Sequence, residues 1–213
     1  MDLAFILAGG QSRRMGRPKA LVPLGGVPLV RRLAMTLRSL PQPPEVFCAT
    51  QQGLADPIRH ALSPLRGVGV LVDPRPDVGP AAALSAAVGG LAKGRFAPSA
   101  RGVVLPVDHP LIPGAVLLRL SELASPGALA YPLVDGDSYH LLLGFELATL
   151  KDRLAQGVAA GDQMRTLLRP AADRQITQAI LQELDPRGLW MQQASTPQDL
   201  ARIEQVLRDA APR

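Results

Sequence analysis

The sequence predicts a three-layer α/β fold, a doubly wound and mostly parallel sheet with helices on both faces. Three observations carry this. Short apolar runs alternate with helix-patterned stretches up to about Leu123, the βαβα order that such sheets require. Gly9, Asp73 and Asp108 each sit just past an apolar run, so the residues best suited to chemistry fall on one edge of the sheet. The 213 residues are 47% apolar but only 3% aromatic, enough for one sizeable aliphatic core and a single domain over residues 1–213.

In chain order, Ala4 to Ala8 is the first strand, a short run bounded by Gly9-Gly10. Pro28 suits a first helical position. Leu29, Leu33, Leu37 and Leu40 follow at helical spacing, with Arg31, Arg32 and Arg38 on the other face, and Pro41 to Pro44 ends the helix. Glu45 to Thr50 is a second strand, Pro57 to Leu62 a short helix, and Gly69 to Val72 a third strand ending at Asp73. Pro80 to Leu91 is an alanine-rich helix that frays at Gly89-Gly90. After a polar loop, Gly102 to Val107 is a fourth strand ending at Asp108, and Pro113 to Leu123 is a helix.

Beyond residue 124 the pattern loosens. Ala128 to Pro132 and His140 to Gly144 read as strands around the turn Asp135-Gly136-Asp137, the second of undecided direction. Ala148 to Ala160 is a helix, and Asp162 caps another through Leu168. Gly188 to Gln192 is a last short strand. Ser195 or Thr196 caps a closing helix from Pro197 to Ala210, with Leu200, Ile203 and Leu207 on one face.

The net charge of +5 suits an anionic ligand. The scattered basic residues and scarce aromatics argue against a nucleic-acid partner. Cys48, the only cysteine, lies in the apolar run Val46-Phe47-Cys48-Ala49 and reads as a small buried strand residue. The N-terminal apolar run is too short for a signal peptide, and no stretch approaches the ~20 residues of a membrane span. A cytoplasmic protein with no membrane partner is expected.

The chemistry concentrates between Leu7 and Gly26. Gly9 and Gly10 allow a tight turn and leave room for a ligand, and backbone N–H groups in such a loop form an anion nest. Arg13, Arg14 and Lys19 add positive charge; arginine grips phosphate through a planar fork, lysine as a point charge. Two readings fit Asp108: a ligand for Mg²⁺ shared with phosphate oxygens, or a cap for the helix that follows. Asp73-Pro74 fits a turn at the end of its strand, and Gly79-Pro80 opens a helix whose N-terminus can face a ligand. His140, alone in its strand, fits a structural residue.

The run LAGGQSRRMGRPK, Leu7 to Lys19, resembles the LAGGxSxRMGxxK signature of the MobA-like nucleotidyltransferases. Asp108-His109-Pro110 resembles that family's Asp-x-Pro metal motif. The family includes molybdenum cofactor guanylyltransferases and cytidylyltransferases. The resemblance covers nearly the whole chain and implies a Rossmann-like nucleotidyltransferase fold. It implies that Leu7, Ala8, Gly9, Gly10, Lys19, Asp73, Gly79 and Asp108 bind nucleotide and that Lys19, Arg14 and Asp108 are catalytic. Asp108 would hold Mg²⁺. The implied reaction moves GMP from GTP to the terminal phosphate of molybdopterin and releases pyrophosphate, with transient contact to other molybdenum cofactor enzymes. That phosphate is already an anion, so no general base is required, in keeping with the lack of any Ser-His-Asp or Cys-His arrangement. Gly79-Pro80-Ala81-Ala82-Ala83-Leu84 looks like the guanylyl branch. The resemblance also implies that His140 lies near the acceptor substrate. The chain departs from the family at Thr50 and Ser195, where asparagine is usual, and at Leu141, where proline follows the histidine. The alternatives are a CTP-dependent molybdopterin cytidylyltransferase, another small-molecule nucleotidyltransferase, or a non-catalytic nucleotide-binding protein.

Overall fold

Alternation along the buried strands separates two cores, and these make the three layers. The computed structural model describes residues 1–10, 12–74, 79–157, 164–169 and 171–210. Its strands are β1 (Leu3–Leu7), β2 (Pro23–Leu24), β3 (Val27–Pro28), β4 (Glu45–Gln51), β5 (Val68–Asp73), β6 (Arg101–Pro106), β7 (Ala130–Val134), β8 (Asp137–Ser138), β9 (Leu143–Glu146) and β10 (Arg174–Thr177). Its helices are α1 (Leu29–Arg38), α2 (Gln52–Leu62), α3 (Pro80–Gly89), α4 (Gly114–Leu123), α5 (Leu147–Gly157), α6 (Gln178–Leu184) and α7 (Pro197–Ala210). Ala4, Ile6, Val46, Cys48, Val103 and Leu105 pack against α1, α2 and α4. Their neighbours Leu3, Phe5, Phe47, Ala49 and Val104 pack on the opposite face against α3 and α5. Burial pushes the Cys48 thiol up to about 12, so it is an inert core group.

The main sheet runs β10-β7-β9-β6-β1-β4-β5, with β8 paired to β7. β1 is parallel to both β4 and β6, and β4 to β5. β9 is antiparallel to both of its neighbours, which settles the direction of the strand near residue 144. The chain steps outward from β1 to β4 and β5, then returns to lay β6 on the other side of β1. That reversal opens a crevice at the carboxyl ends of the strands, where open α/β sheets bind ligands.

Several elements differ from expectation. α2 starts at Gln52, with Pro57 inside it. The apolar spacing of Ala55, Ile58 and Leu62, all buried, outweighs the helical hydrogen bond that Pro57 forgoes. The turn at Asp135-Gly136 leads into β8 rather than across to a strand at His140, and β9 begins only at Leu143. Gly188, at φ 61°, opens a 3-10 turn over Leu189–Met191, not a strand, and that turn buries Trp190. The β2–β3 hairpin turns through Gly25 and Gly26, both at positive φ, and together with β10 and α6 it has no counterpart in the sequence reading. Residues 158–160 of the expected fifth helix and the Asp162 cap lie outside the described residues. Among the described residues, no helix is long and apolar enough to cross a membrane.

Candidate active site

The glycine-rich loop is shaped by residues other than its first two glycines. The Ala8 amide still bonds to Ala49 O at 2.8 Å, continuing β1. Neither Gly9 nor Gly10 adopts positive φ; the left-handed positions are Ser12 (φ 49°) and Gly16 (φ 69°). A Cβ at Gly10 would meet no protein atom within 4 Å, and one at Gly9 only ordinary contacts. The expected tight turn at Gly9-Gly10 is therefore absent, and what these glycines provide is open space over the strand ends. Ser12 Oγ donates to Gly10 O (3.2 Å) and accepts from the Lys19 amide (3.0 Å), folding the loop back on itself.

That fold brings Lys19 to Asp108. Val107 N donates to Leu7 O at 3.1 Å, so Asp108 emerges from the sheet directly beside the end of β1. Lys19 Nζ lies 2.9 Å from Asp108 Oδ2, with the two side chains 15% and 16% exposed. A helix cap is not what Asp108 does: the residue preceding α4 is Pro113, and no side chain caps that helix.

The C-terminal segment completes the arrangement. Ala194 N donates to Asp108 O (2.7 Å), Gln193 Nε2 to Asp108 Oδ2 (3.2 Å), and Lys19 Nζ to Ser195 Oγ (3.3 Å). His109 Nδ1 is 2.9 Å from Trp190 O. The Trp190 ring meets Tyr139 edge-on at 4.8 Å, beside the loop that carries His140 and Leu141. Asp199 accepts from the amides of Ser195 and Thr196 and from the Thr196 hydroxyl, and the Thr196 hydroxyl accepts from Asp199 N, a reciprocal cap for α7. The Thr196 hydroxyl above all holds the Asp199 carboxyl below its usual range.

A cavity of about 510 Å³ lies over the strand ends. The nucleotide-binding and catalytic residues that the family resemblance implies all line it: Leu7, Ala8, Gly9, Gly10, Arg14, Lys19, Asp73, Gly79 and Asp108. His140 is not among the lining residues; its Nδ1 is 3.2 Å from Ser138 O, while the neighbouring Leu141 reaches the cavity wall. Gly79, at φ 118°, leads into α3, so the helix N-terminus opens onto the cavity.

Sequence reasoning picked out Thr50 as a departure and missed Gln51. Thr50 is fully buried and its hydroxyl donates to Ala8 O at 3.4 Å. Gln51 falls on the α3 face with Ala49, lines the cavity, and pairs in register with Asp73 on β5. Counting by two along β4 from Ala49 would have found it. Among the described residues, no cluster of three His, Cys, Asp or Glu side chains could hold a metal by itself. The single carboxylate of Asp108 does fit Mg²⁺, which takes one or two carboxylates and completes its shell with phosphate oxygens and water.

An open sheet with a glycine loop, a lysine and a carboxylate meeting at its switch point has the layout of a ligand-binding α/β protein. Residues 4–180 match the family model of the MobA-like NTP transferase domain, and the chain belongs to that family. A molybdenum cofactor guanylyltransferase of Rhodobacter capsulatus is 33% identical over 211 residues, covering 98% of this chain and 97% of the relative. One from Cereibacter sphaeroides is 35% identical over 208 residues, covering 97% of each. The molybdopterin-guanine dinucleotide biosynthesis protein A of Archaeoglobus fulgidus superposes with a TM-score of 0.72 at 21% identity. That match covers 97% of this chain and 99% of the other, and shows the shared fold.

Proposed function

We propose that this protein transfers GMP from GTP to the terminal phosphate of molybdopterin and releases pyrophosphate. The observation that carries the reading is the Lys19–Asp108 pair at one side of the cavity with Asp73 at the other. β6 and β5 are separated by β1 and β4, so the strands that lead to Asp108 and Asp73 stand three strand spacings apart, roughly 14 Å, a span suited to a nucleotide. The base then lies toward Asp73, Gln51 and Gly79, and the phosphates toward Lys19 and Asp108. Relatives named as guanylyltransferases over nearly their full length support GTP as the donor. The whole chain acts as one domain, because the segment around Gln193 and Ser195 reaches the same pair.

The acceptor phosphate oxygen bonds to the α-phosphorus of GTP, and the bond from that phosphorus to the bridging oxygen breaks. Its electrons leave with pyrophosphate. The nucleophile arrives ionised, so the protein contributes positioning and charge rather than a base. Lys19 presents a point charge on a flexible stem, and Arg14 adds a planar fork at the cavity wall. The open space over Gly9 and Gly10 lets the phosphates approach the backbone. Asp108 would hold Mg²⁺, which supplies charge neutralisation at the phosphates when bound.

Asp108→Asn tests the reading. Pyrophosphate release that depends on Mg²⁺ is expected to fall by about a hundredfold or more, with GTP binding in the absence of metal only modestly weakened. Retained Mg²⁺-dependent turnover would remove Asp108 from the chemistry.

A further inference from the structure

We infer that residues 190–195 form a positioning strap in which Ser195 holds Lys19 and Gln193 orients the Asp108 carboxylate, so that Lys19 rests on Asp108 as a resident cation, which metal-bound nucleotide must displace. The inference rests on the reading of Asp108 as the divalent-cation ligand. Asp108 Oδ2 already receives Lys19 Nζ at 2.9 Å and Gln193 Nε2 at 3.2 Å. An ammonium and a divalent ion compete for the same carboxylate and repel each other there, so metal binding is weakened while Lys19 stays on it. Ser195 Oγ gives the ammonium a second acceptor at 3.3 Å, so two of its three protons are engaged.

The strap is itself fixed at both ends. At one end, Trp190 packs on Tyr139 and its carbonyl meets His109 Nδ1. At the other, Asp199 accepts from the Ser195 amide at 3.2 Å and ties it to the start of α7. Between them, Ala194 N holds the Asp108 carbonyl at 2.7 Å. Ser195 is buried, and its hydroxyl faces Lys19. Phosphate oxygens offer the ammonium a better partner, and its flexible stem lets it swing from Asp108 to them. Metal therefore binds weakly alone and well with nucleotide, and Ser195 and Gln193 set that difference without touching substrate.

Mn²⁺ binding followed by electron paramagnetic resonance on the nucleotide-free protein tests this. Lys19→Met should tighten Mn²⁺ binding by about tenfold or more, since it removes a cation from the carboxylate itself. Ser195→Ala should tighten it by about threefold and Ser195→Thr should return it to the wild-type value, because only a hydroxyl is needed. Arg14→Met removes the same charge from the cavity wall and should change it by less than about twofold. Lys19→Met binding Mn²⁺ no more tightly than Arg14→Met would overturn the inference. Asp108→Asn separates it from the reading beneath: if that variant still binds Mn²⁺ with GTP as the wild type does, Asp108 is not the ligand and both fall. If Asp108→Asn loses the metal while Lys19→Met gains nothing, only the strap inference falls.

Discussion

The chain up to α4 and the chain beyond it are held together by different forces. In the first part, β1, β4, β5 and β6 pair in parallel and bury alternate aliphatic side chains in two cores. In the second, polar pins do much of the joining. Arg153, buried in α5, donates to Leu167 O (2.6 Å), Gly127 O (2.8 Å) and Asp173 Oδ1 (2.8 Å). Asp173 in turn accepts from the amides of Leu129 and Arg169. Contact with the first part is close: a Cβ on Gly144 of β9 would sit 2.0 Å from Leu120 O of α4. The regular part carries Lys19, Asp73 and Asp108, and the irregular part decides where Lys19 and Asp108 rest. Reactive groups can stand at the ends of generic buried strands, whereas placing them takes specific contacts.

The largest effect should come from breaking the polar pin. Arg153→Leu strands the Asp173 carboxylate in the interior and should lower stability by about 3 kcal/mol or more in urea unfolding. Asp173→Asn in the same background should recover part of that loss, which would show that the cost lies in the unpaired charge. A smaller effect, confined to binding, is expected in the regular part. Gly10→Ala has room and no positive φ, so stability should stay within about 0.5 kcal/mol of the parent. GTP binding should weaken by about tenfold, because the methyl takes space a phosphate needs. Loss of stability instead would mean that the loop, not the ligand, requires glycine.

The smallest effect is at the cap of α7. The Asp199 carboxyl titrates below its usual value, so the ionised form is the one that stabilises the fold. That contribution is complete above the unfolded value, about 3.9, and disappears as pH falls through the lowered folded value. Asp199→Asn should therefore cost about 1 kcal/mol at neutral pH and much less near pH 2. An equal deficit at both pH values would contradict the ionised cap.

The legible parts of the fold are those where composition and spacing carry the information. Strands bounded by glycine or aspartate were readable, and with them the gathering of Gly9, Asp73 and Asp108 on one edge. Helical spacing located α1, α3, α4 and α7, but the proline in α2 hid its first turn. Arg153 was not readable, because a charged residue in a helix resembles a solvent-facing one until its burial is known. Gly188 to Gln192 reads as a strand from sequence and is not one, since the left-handed Gly188 turns that apolar run into a 3-10 turn. Lys19 and Asp108 are 89 positions apart, and only the family resemblance joined them before the fold did. Gln51 was missed by one residue, which on a strand is the difference between the two faces of the sheet.

Direct competition for the donor site tests the central claim most closely. GTP and CTP are supplied at equal concentration with Mg²⁺ and molybdopterin, and the products are separated by mass. The account predicts the guanine dinucleotide as the main product, with pyrophosphate released in equal amount. A cytosine dinucleotide in excess would contradict it.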